Sequence, residues 1–143
     1  MKGKITILLV EDNLEHLHLT RHILERNGVE EEFRVARDGQ EALDYLYQRE
    51  RFQDRLKNPR PALVLLDLNI PRIDGKEVLR RIKQDPTLSD IPVVVVSSST
   101  RPEDVAFAKE QGASAYFSKS AGFEKLSEQL ATIGQFITGR DHP

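Results

Sequence analysis

Five chemically capable residues stand at matching places in this chain. Glu11 and Asp12 follow the apolar run Ile5-Thr6-Ile7-Leu8-Leu9-Val10, and Asp67 follows Ala62-Leu63-Val64-Leu65-Leu66. Ser97 follows Val93-Val94-Val95-Val96, and Lys119 comes just after Ala115-Tyr116-Phe117. Any one of them, taken alone, is an ordinary polar residue at the end of a strand. Five at the same edge of one sheet would be hard to dismiss. Three carboxylates held close together repel and raise at least one pKa unless a cation neutralises them. Magnesium (Mg2+) is the natural candidate, because it favours oxygen ligands and binds through one or two carboxylates plus a phosphate oxygen. A carboxylate beside such an ion and a fixed lysine is equipped to attack a phosphoryl group. The product is an acyl phosphate, with metal and lysine spreading the charge that develops on the equatorial oxygens.

The elements that would bring these residues together can be read from periodicity. The run 5–10 is too short for a helix and reads as a strand buried on both faces. Asn13 can cap a helix that reaches about Arg26 and ends at Asn27-Gly28. Glu32-Phe33-Arg34-Val35-Ala36 alternates and suggests a less covered strand. Asp38-Gly39 opens a second helix with Ala42, Leu43, Leu46 and Tyr47 as its apolar stripe. A long charged connection, 48–61, leads to the third strand at 62–66. Asp74-Gly75 opens a third helix with Val78, Leu79 and Ile82 on one face, closed by Asp85-Pro86. After the strand 93–96, Thr100-Arg101-Pro102-Glu103 has the form of a capping box for a fourth helix that Gly112 closes. The strand 115–117 follows, and Phe123, Leu126, Leu130, Ile133 and Ile137 form the inner stripe of a last helix. The order is βαβαβαβαβα: an α/β fold with a doubly wound, five-stranded parallel sheet and helices on both faces. In such sheets, sites lie outside the carboxyl ends of the strands where the strand order reverses. The five residues stand at that edge.

Composition narrows the classes of function. The chain has 143 residues with no cysteine, which removes disulfide scaffolds, thiolate zinc sites and cysteine nucleophiles. One compact domain is expected, with a core of about 4–138 and a short tail at 139–143. Twenty-one Lys plus Arg against 23 Asp plus Glu give a net charge of −2, far from the basic balance of a nucleic-acid binder. No apolar run approaches the roughly 20 residues that span a bilayer, and no signal peptide is supported, so a cytoplasmic location is expected.

Several motifs together carry a resemblance. Leu9-Val10-Glu11-Asp12-Asn13, Leu65-Leu66-Asp67-Leu68-Asn69-Ile70-Pro71 with Asp74-Gly75, Val95-Val96-Ser97 and Tyr116-Phe117-Ser118-Lys119 resemble, in order and spacing, the receiver domain of bacterial two-component response regulators. The resemblance runs from Ile5 to about Ile137 and implies the flavodoxin-like receiver fold. It implies that Asp67 accepts a phosphoryl group from a phosphohistidine on a sensor histidine kinase. Asp12 would bind Mg2+ directly, Glu11 mostly through water, and Asn69 through its backbone carbonyl. The Ser97 hydroxyl would move onto the phosphoryl group, and Lys119 would pair with it. Tyr116 would turn inward with that movement and alter the surface of the fourth helix, fifth strand and fifth helix. The protein would then be its own substrate rather than an enzyme. Where the family usually has proline after the lysine, often as a cis peptide, this chain has Ser120, which leaves the shape of that loop open between a trans bond and a strained cis one. Ser120, the long 48–61 segment and Asn58-Pro59-Arg60-Pro61 look like the stand-alone regulators that serve bacterial phytochrome kinases.

Other features have plainer readings. His16, His18 and His22 invite a metal site, yet His18 and His22 lie opposite Leu17 and Leu24 on a helical wheel, which favours a solvated face. Arg49, Arg51, Arg55, Lys57 and Arg60 read as a solvated loop. Phe107 and Phe136 fall off their helices' inner stripes and suggest a homodimer or partner interface. Asn69 and Ser99 are placed to tune the lifetime of a phosphoryl group. Three rivals for the function are a haloacid-dehalogenase-like phosphotransferase, an unphosphorylated receiver-like binding module and a flavodoxin-like cofactor binder. The first wants a second acid where Asn69 stands, the second normally lacks acids or lysine that are present here, and the third wants a Gly, Ser and Thr loop after the first strand. A regulator without an output domain would act on a downstream protein or a phosphotransfer domain.

Overall fold

The computed structural model describes residues 5–29 and 31–137. The expected tail at 139–143 lies outside the described residues. Five parallel strands, β1 (Thr6–Val10), β2 (Glu32–Ala36), β3 (Leu63–Leu66), β4 (Val93–Ser97) and β5 (Ala115–Ser118), form one sheet in the order β2-β1-β3-β4-β5. Five α-helices alternate with them: α1 (Leu14–Arg26), α2 (Gly39–Leu46), α3 (Gly75–Gln84), α4 (Pro102–Glu110) and α5 (Phe123–Leu130).

Successive strand residues point to opposite faces, so each central strand feeds two separate apolar layers. Leu8, Val10, Val64, Leu66, Val93 and Val95 meet the inner faces of α2, α3 and α4. Ile7, Leu9, Leu63, Leu65, Val94 and Val96 meet those of α1 and α5. This double burial is why β1, β3 and β4 are largely continuous apolar runs, while the edge strand β2 alternates polar and apolar residues and is only partly covered. The strand order turns between β1 and β3, which places the ends carrying Glu11 and Asp67 side by side.

Helix starts follow the Asx signals in the sequence. Asn13, Asp38 and Asp74 accept from the backbone N–H of His16, Glu41 and Glu77. Gly75 also has a tertiary reason. A Cβ on it would lie 2.4 Å from the carbonyl oxygen of Asp67 and from Leu68 Cα, so only glycine lets α3 start against the end of β3.

Five expectations are corrected. Thr100 forms no capping box, and α4 starts after Arg101 without a side-chain cap. Ser99 and Asp104 are drawn instead into an ionic cluster around the buried Asp104 carboxylate, and Glu103 lies beside Arg101. Tyr47 is exposed and donates to Asp85, while Tyr45 is the buried aromatic of α2. Phe123 is 47% exposed, because α5 reaches the core only at Leu126. The α5 helix also stops at Leu130, and Ile133 and Ile137 are buried from a following 3-10 turn. Within the 48–61 connection, whose charge suggests a loop in solvent, Phe52 is buried edge-on against Tyr45, with ring centroids 5.1 Å apart. The Tyr45 hydroxyl donates to the Pro59 carbonyl at 2.8 Å and holds the segment down. Its five basic side chains are exposed, as expected.

Candidate functional site

Asp67 is 6% exposed at the carboxyl end of β3. One of its oxygens, Oδ1, accepts from the backbone N–H of Asn69 at 2.9 Å, and Oδ2 accepts from Lys119 Nζ at 2.7 Å. Glu11, at the end of β1, is also 6% exposed. Its Oε1 accepts from the same ammonium, and Oε2 accepts from the Asn13 N–H at 3.1 Å. Burial pushes the Glu11 carboxyl above its ordinary pKa, with the Lys119 hydrogen bond and charge opposing that rise and the nearby Asp67 adding to it. Two buried carboxylates therefore share one ammonium.

Lys119 opens a short 3-10 turn, Lys119–Ala121, immediately after β5. No peptide bond among the described residues is cis, so the Lys119-Ser120 bond is trans. Ser120 stabilises the turn in a way proline could not: its N–H donates to Ser118 Oγ at 3.1 Å, and its hydroxyl donates to the Ser98 carbonyl at 2.9 Å. Ser97 is fully buried at the end of β4, and its Oγ accepts from the Ser99 N–H at 3.3 Å. The Tyr116 hydroxyl donates to the Ser99 carbonyl at 2.9 Å.

Asp12 and Asn69 are exposed at the rim. The Asp12 carbonyl accepts from Arg37 at 2.9 Å, and its carboxylate makes no hydrogen bond or ion pair among the described residues. A hard divalent cation wants carboxylate and carbonyl oxygens. Glu11 and Asp67 offer carboxylate oxygens within 4.8 Å of each other, and Asp12 and Asn69 stand exposed one and two residues along the chain from them, so the oxygen chemistry of these residues fits a divalent metal.

The structure also adds residues that sequence reasoning missed. His16, in the first turn of α1, brings Nδ1 to 3.1 Å from Lys119 Nζ and 3.9 Å from Glu11 Oε1. His18 and His22 are exposed, as expected. The signal for His16 was in the pattern: it precedes the buried Thr20 and Ile23 at helical i+4 and i+7 spacing, on the inner face. Asp104 is the second addition. Lys76 of α3, the Ser99 hydroxyl and Arg101 surround it and hold its carboxyl well below the usual carboxylate range. This cluster joins the loop after β4, where the Ser99 carbonyl also accepts from Tyr116, to α3 and α4. Phe107 and Phe136 are half-buried and pack against opposite layers of the core, with Lys76 over the Phe107 ring at 5.6 Å. The two rings thus lie in opposite layers, each only partly exposed.

A parallel sheet that brings a buried aspartate, a second acid and a lysine together at its carboxyl edge is the layout of a receiver-type domain. The response regulator receiver domain family matches residues 7–131, and the chain belongs to it. Response regulator Rcp1 of Synechocystis sp. is 38% identical over 91% of this chain and 86% of its own. The Mn2+-bound form of Rcp1 superposes with a TM-score of 0.83 at 36% identity, covering 97% of this chain and 99% of that one. The phosphorylated cyanobacterial phytochrome response regulator RcpA gives 0.84 at 38% identity over 98% of both chains. The bacteriophytochrome response regulator AtBRR gives 0.81 at 38% identity over 99% and 98%. The chain is thus a phosphorylatable two-component response regulator, a class that binds a divalent metal and works with a histidine kinase. Neither the phosphotransferase nor the inert-module reading is favoured beside this match. No helix among the described residues is long and apolar enough to cross a membrane.

Proposed function

We propose that Asp67 is the phosphoacceptor. The observation that carries this reading is a buried carboxylate whose Oδ2 lies 2.7 Å from Lys119 Nζ while Glu11 shares the same ammonium. A carboxylate oxygen of Asp67 attacks the phosphorus of a kinase phosphohistidine. The P–O bond forms as the P–N bond breaks, and the imidazole departs neutral with its other nitrogen protonated. Lys119 transfers its donor from Asp67 Oδ2 to a phosphoryl oxygen. Asp12, Asp67 and the Asn69 carbonyl, with Glu11 mostly through water, would hold Mg2+, which would supply positive charge for the three phosphoryl oxygens. Ser97 donates its hydroxyl to the phosphoryl group. That movement takes Ser97 Oγ from the Ser99 N–H, and Ser99 carries the change to Tyr116 and the Asp104 cluster. The readout is the surface of α4, β5 and α5, a shift between pre-existing arrangements.

The protein serves as its own substrate in this scheme. Similarity to RcpA, a cyanobacterial phytochrome response regulator, and to AtBRR, a bacteriophytochrome response regulator, supports a bacterial phytochrome as the kinase. The same reading takes the cytoplasm as the setting and a downstream protein or phosphotransfer domain as the recipient. The same readout face serves as the contact of a homodimer. Val105 and Phe123, 36% and 47% exposed, offer it more open apolar area than Phe107 and Phe136 do. Intact mass after incubation with a small phosphodonor and Mg2+ tests the mechanism: the wild type gains one phosphoryl group and Asp67→Asn gains none. An unmodified wild type, or an equally modified Asp67→Asn, would refute it.

A further inference from the structure

The Lys119 ammonium has three N–H donors and no acceptor. Three groups face it: Glu11 Oε1, Asp67 Oδ2 at 2.7 Å and His16 Nδ1 at 3.1 Å. These ligand atoms all lie within 4.8 Å of one another, a spacing that a metal ion could use. The ammonium occupies that space, so the trio is a cage for lysine and not a second cation site. Because Lys119 can only donate, the contact needs the lone pair of His16 on Nδ1, which puts the ring proton on Nε2. We propose that His16 is a positioning residue for Lys119, its Nδ1 serving as the third acceptor that aims the lysine at whatever is bound on Asp67.

The root of the His16 ring is held by the cap of α1. Asn13 Oδ1 accepts from the His16 N–H at 3.1 Å, and the Asn13 N–H donates to Glu11 Oε2 at 3.1 Å. One residue therefore fixes both acceptors that stay with Lys119 when Asp67 is modified. With Glu11 alone the ammonium would swivel about a single hydrogen bond. With Glu11 and His16 together its third N–H points at the position of the incoming phosphoryl oxygen, so the donor is oriented before the charge develops.

This inference rests on phosphorylation at Asp67, and its test keeps the two apart. The first measurement needs no phosphoryl group. In 15N NMR of the metal-free protein, the Lys119 ammonium signal is slow to exchange in the wild type and in His16→Asn, whose Oδ1 replaces Nδ1, and is lost to fast exchange in His16→Leu. The second measurement is the rate of phosphorylation by a small phosphodonor at saturating Mg2+. His16→Leu slows it about threefold to tenfold, the size of one modest net hydrogen bond, and His16→Asn restores it to within about twofold. His18→Leu and His22→Leu, on the exposed side of the same helix, leave both readouts unchanged. A Lys119 signal unaffected in His16→Leu, or a rate that His16→Asn does not restore, overturns the role of His16. A wild type that takes up no phosphoryl group overturns the parent reading instead, while the NMR signal still reports the contact.

Discussion

Removing the shared cation tests the electrostatics of the site most directly. In Lys119→Met, Glu11 and Asp67 lose the ammonium that lies between them, although both carboxylates are under a tenth exposed. Their facing oxygens lie within 4.8 Å. At an effective permittivity of about 20, two unit charges at that distance repel by about 3.5 kcal/mol. That agrees with the roughly 3–5 kcal/mol lost when one partner of a buried ion pair is removed. The penalty depends on pH with a definite sign. The Glu11 carboxyl already titrates above its ordinary 4.5 because of burial, and Lys119 is what opposes that rise. The folded state therefore binds the Glu11 proton more readily than the unfolded state does, and stability falls as pH rises from 4.5 through the raised value. Without Lys119 this window extends upward. Urea unfolding in EDTA should show the variant about 3–5 kcal/mol less stable than the wild type at pH 8, with an unchanged m-value, and much closer to it at pH 5. Adding Asp67→Asn should recover most of the loss at pH 8, and so should Mg2+. A penalty below about 1 kcal/mol at pH 8, the value typical of an exposed pair, or one equally large at pH 5, would refute the shared-ammonium account.

Other substitutions probe the elements that hold the site. Gly75→Ala drives a Cβ to 2.4 Å from the Asp67 carbonyl oxygen, so it should cost about 1–3 kcal/mol in thermal unfolding and also slow phosphorylation in the mass assay. Tyr45→Phe removes the donor to Pro59 and leaves a carbonyl unpaired, a loss of about 1–2 kcal/mol. Hydrogen exchange in that variant should rise across 48–61. Burial pushes the Tyr45 phenol up to about 12, so the wild-type contact should hold unchanged from pH 6 to 10. Asp104→Asn weakens the ties of the first turn of α4 to Lys76 of α3 and to Ser99 and Arg101 of the β4–α4 loop, and faster amide exchange at 99–105 with an unchanged β-sheet would show it.

Much of the fold was legible because its signals are local. The apolar runs of β1, β3 and β4, the Asx caps at 13, 38 and 74, and the acids, serine and lysine after the strands are all visible within a few residues. The errors arose where a tertiary partner outbid a local signal. Thr100 and Glu103 have the spacing of a capping box, but a buried carboxylate three residues after Arg101 and a lysine from α3 captured the turn. Tyr47 continued the stripe of α2 by spacing, while Tyr45 won the interior because Phe52 and Pro59 return from the long connection to cover it.

The sequence by itself determined that five strands would alternate with helices and that Glu11, Asp12, Asp67, Ser97 and Lys119 would reach one edge. A parallel sheet sends every strand end to the same side, so these placements need no distances. Which of those groups touch was decided only by the tertiary structure. Lys119 meets Glu11, His16 and Asp67 across 108, 103 and 52 residues of chain, contacts set by strand order and by the angle at which α1 leaves β1. Asp12 stays at the rim while His16 turns in, because the inner face of α1 is fixed by what Leu17, Thr20 and Ile23 bury against the sheet. Local patterning can state the period of that face, but its direction toward the lysine exists only once the helix is docked.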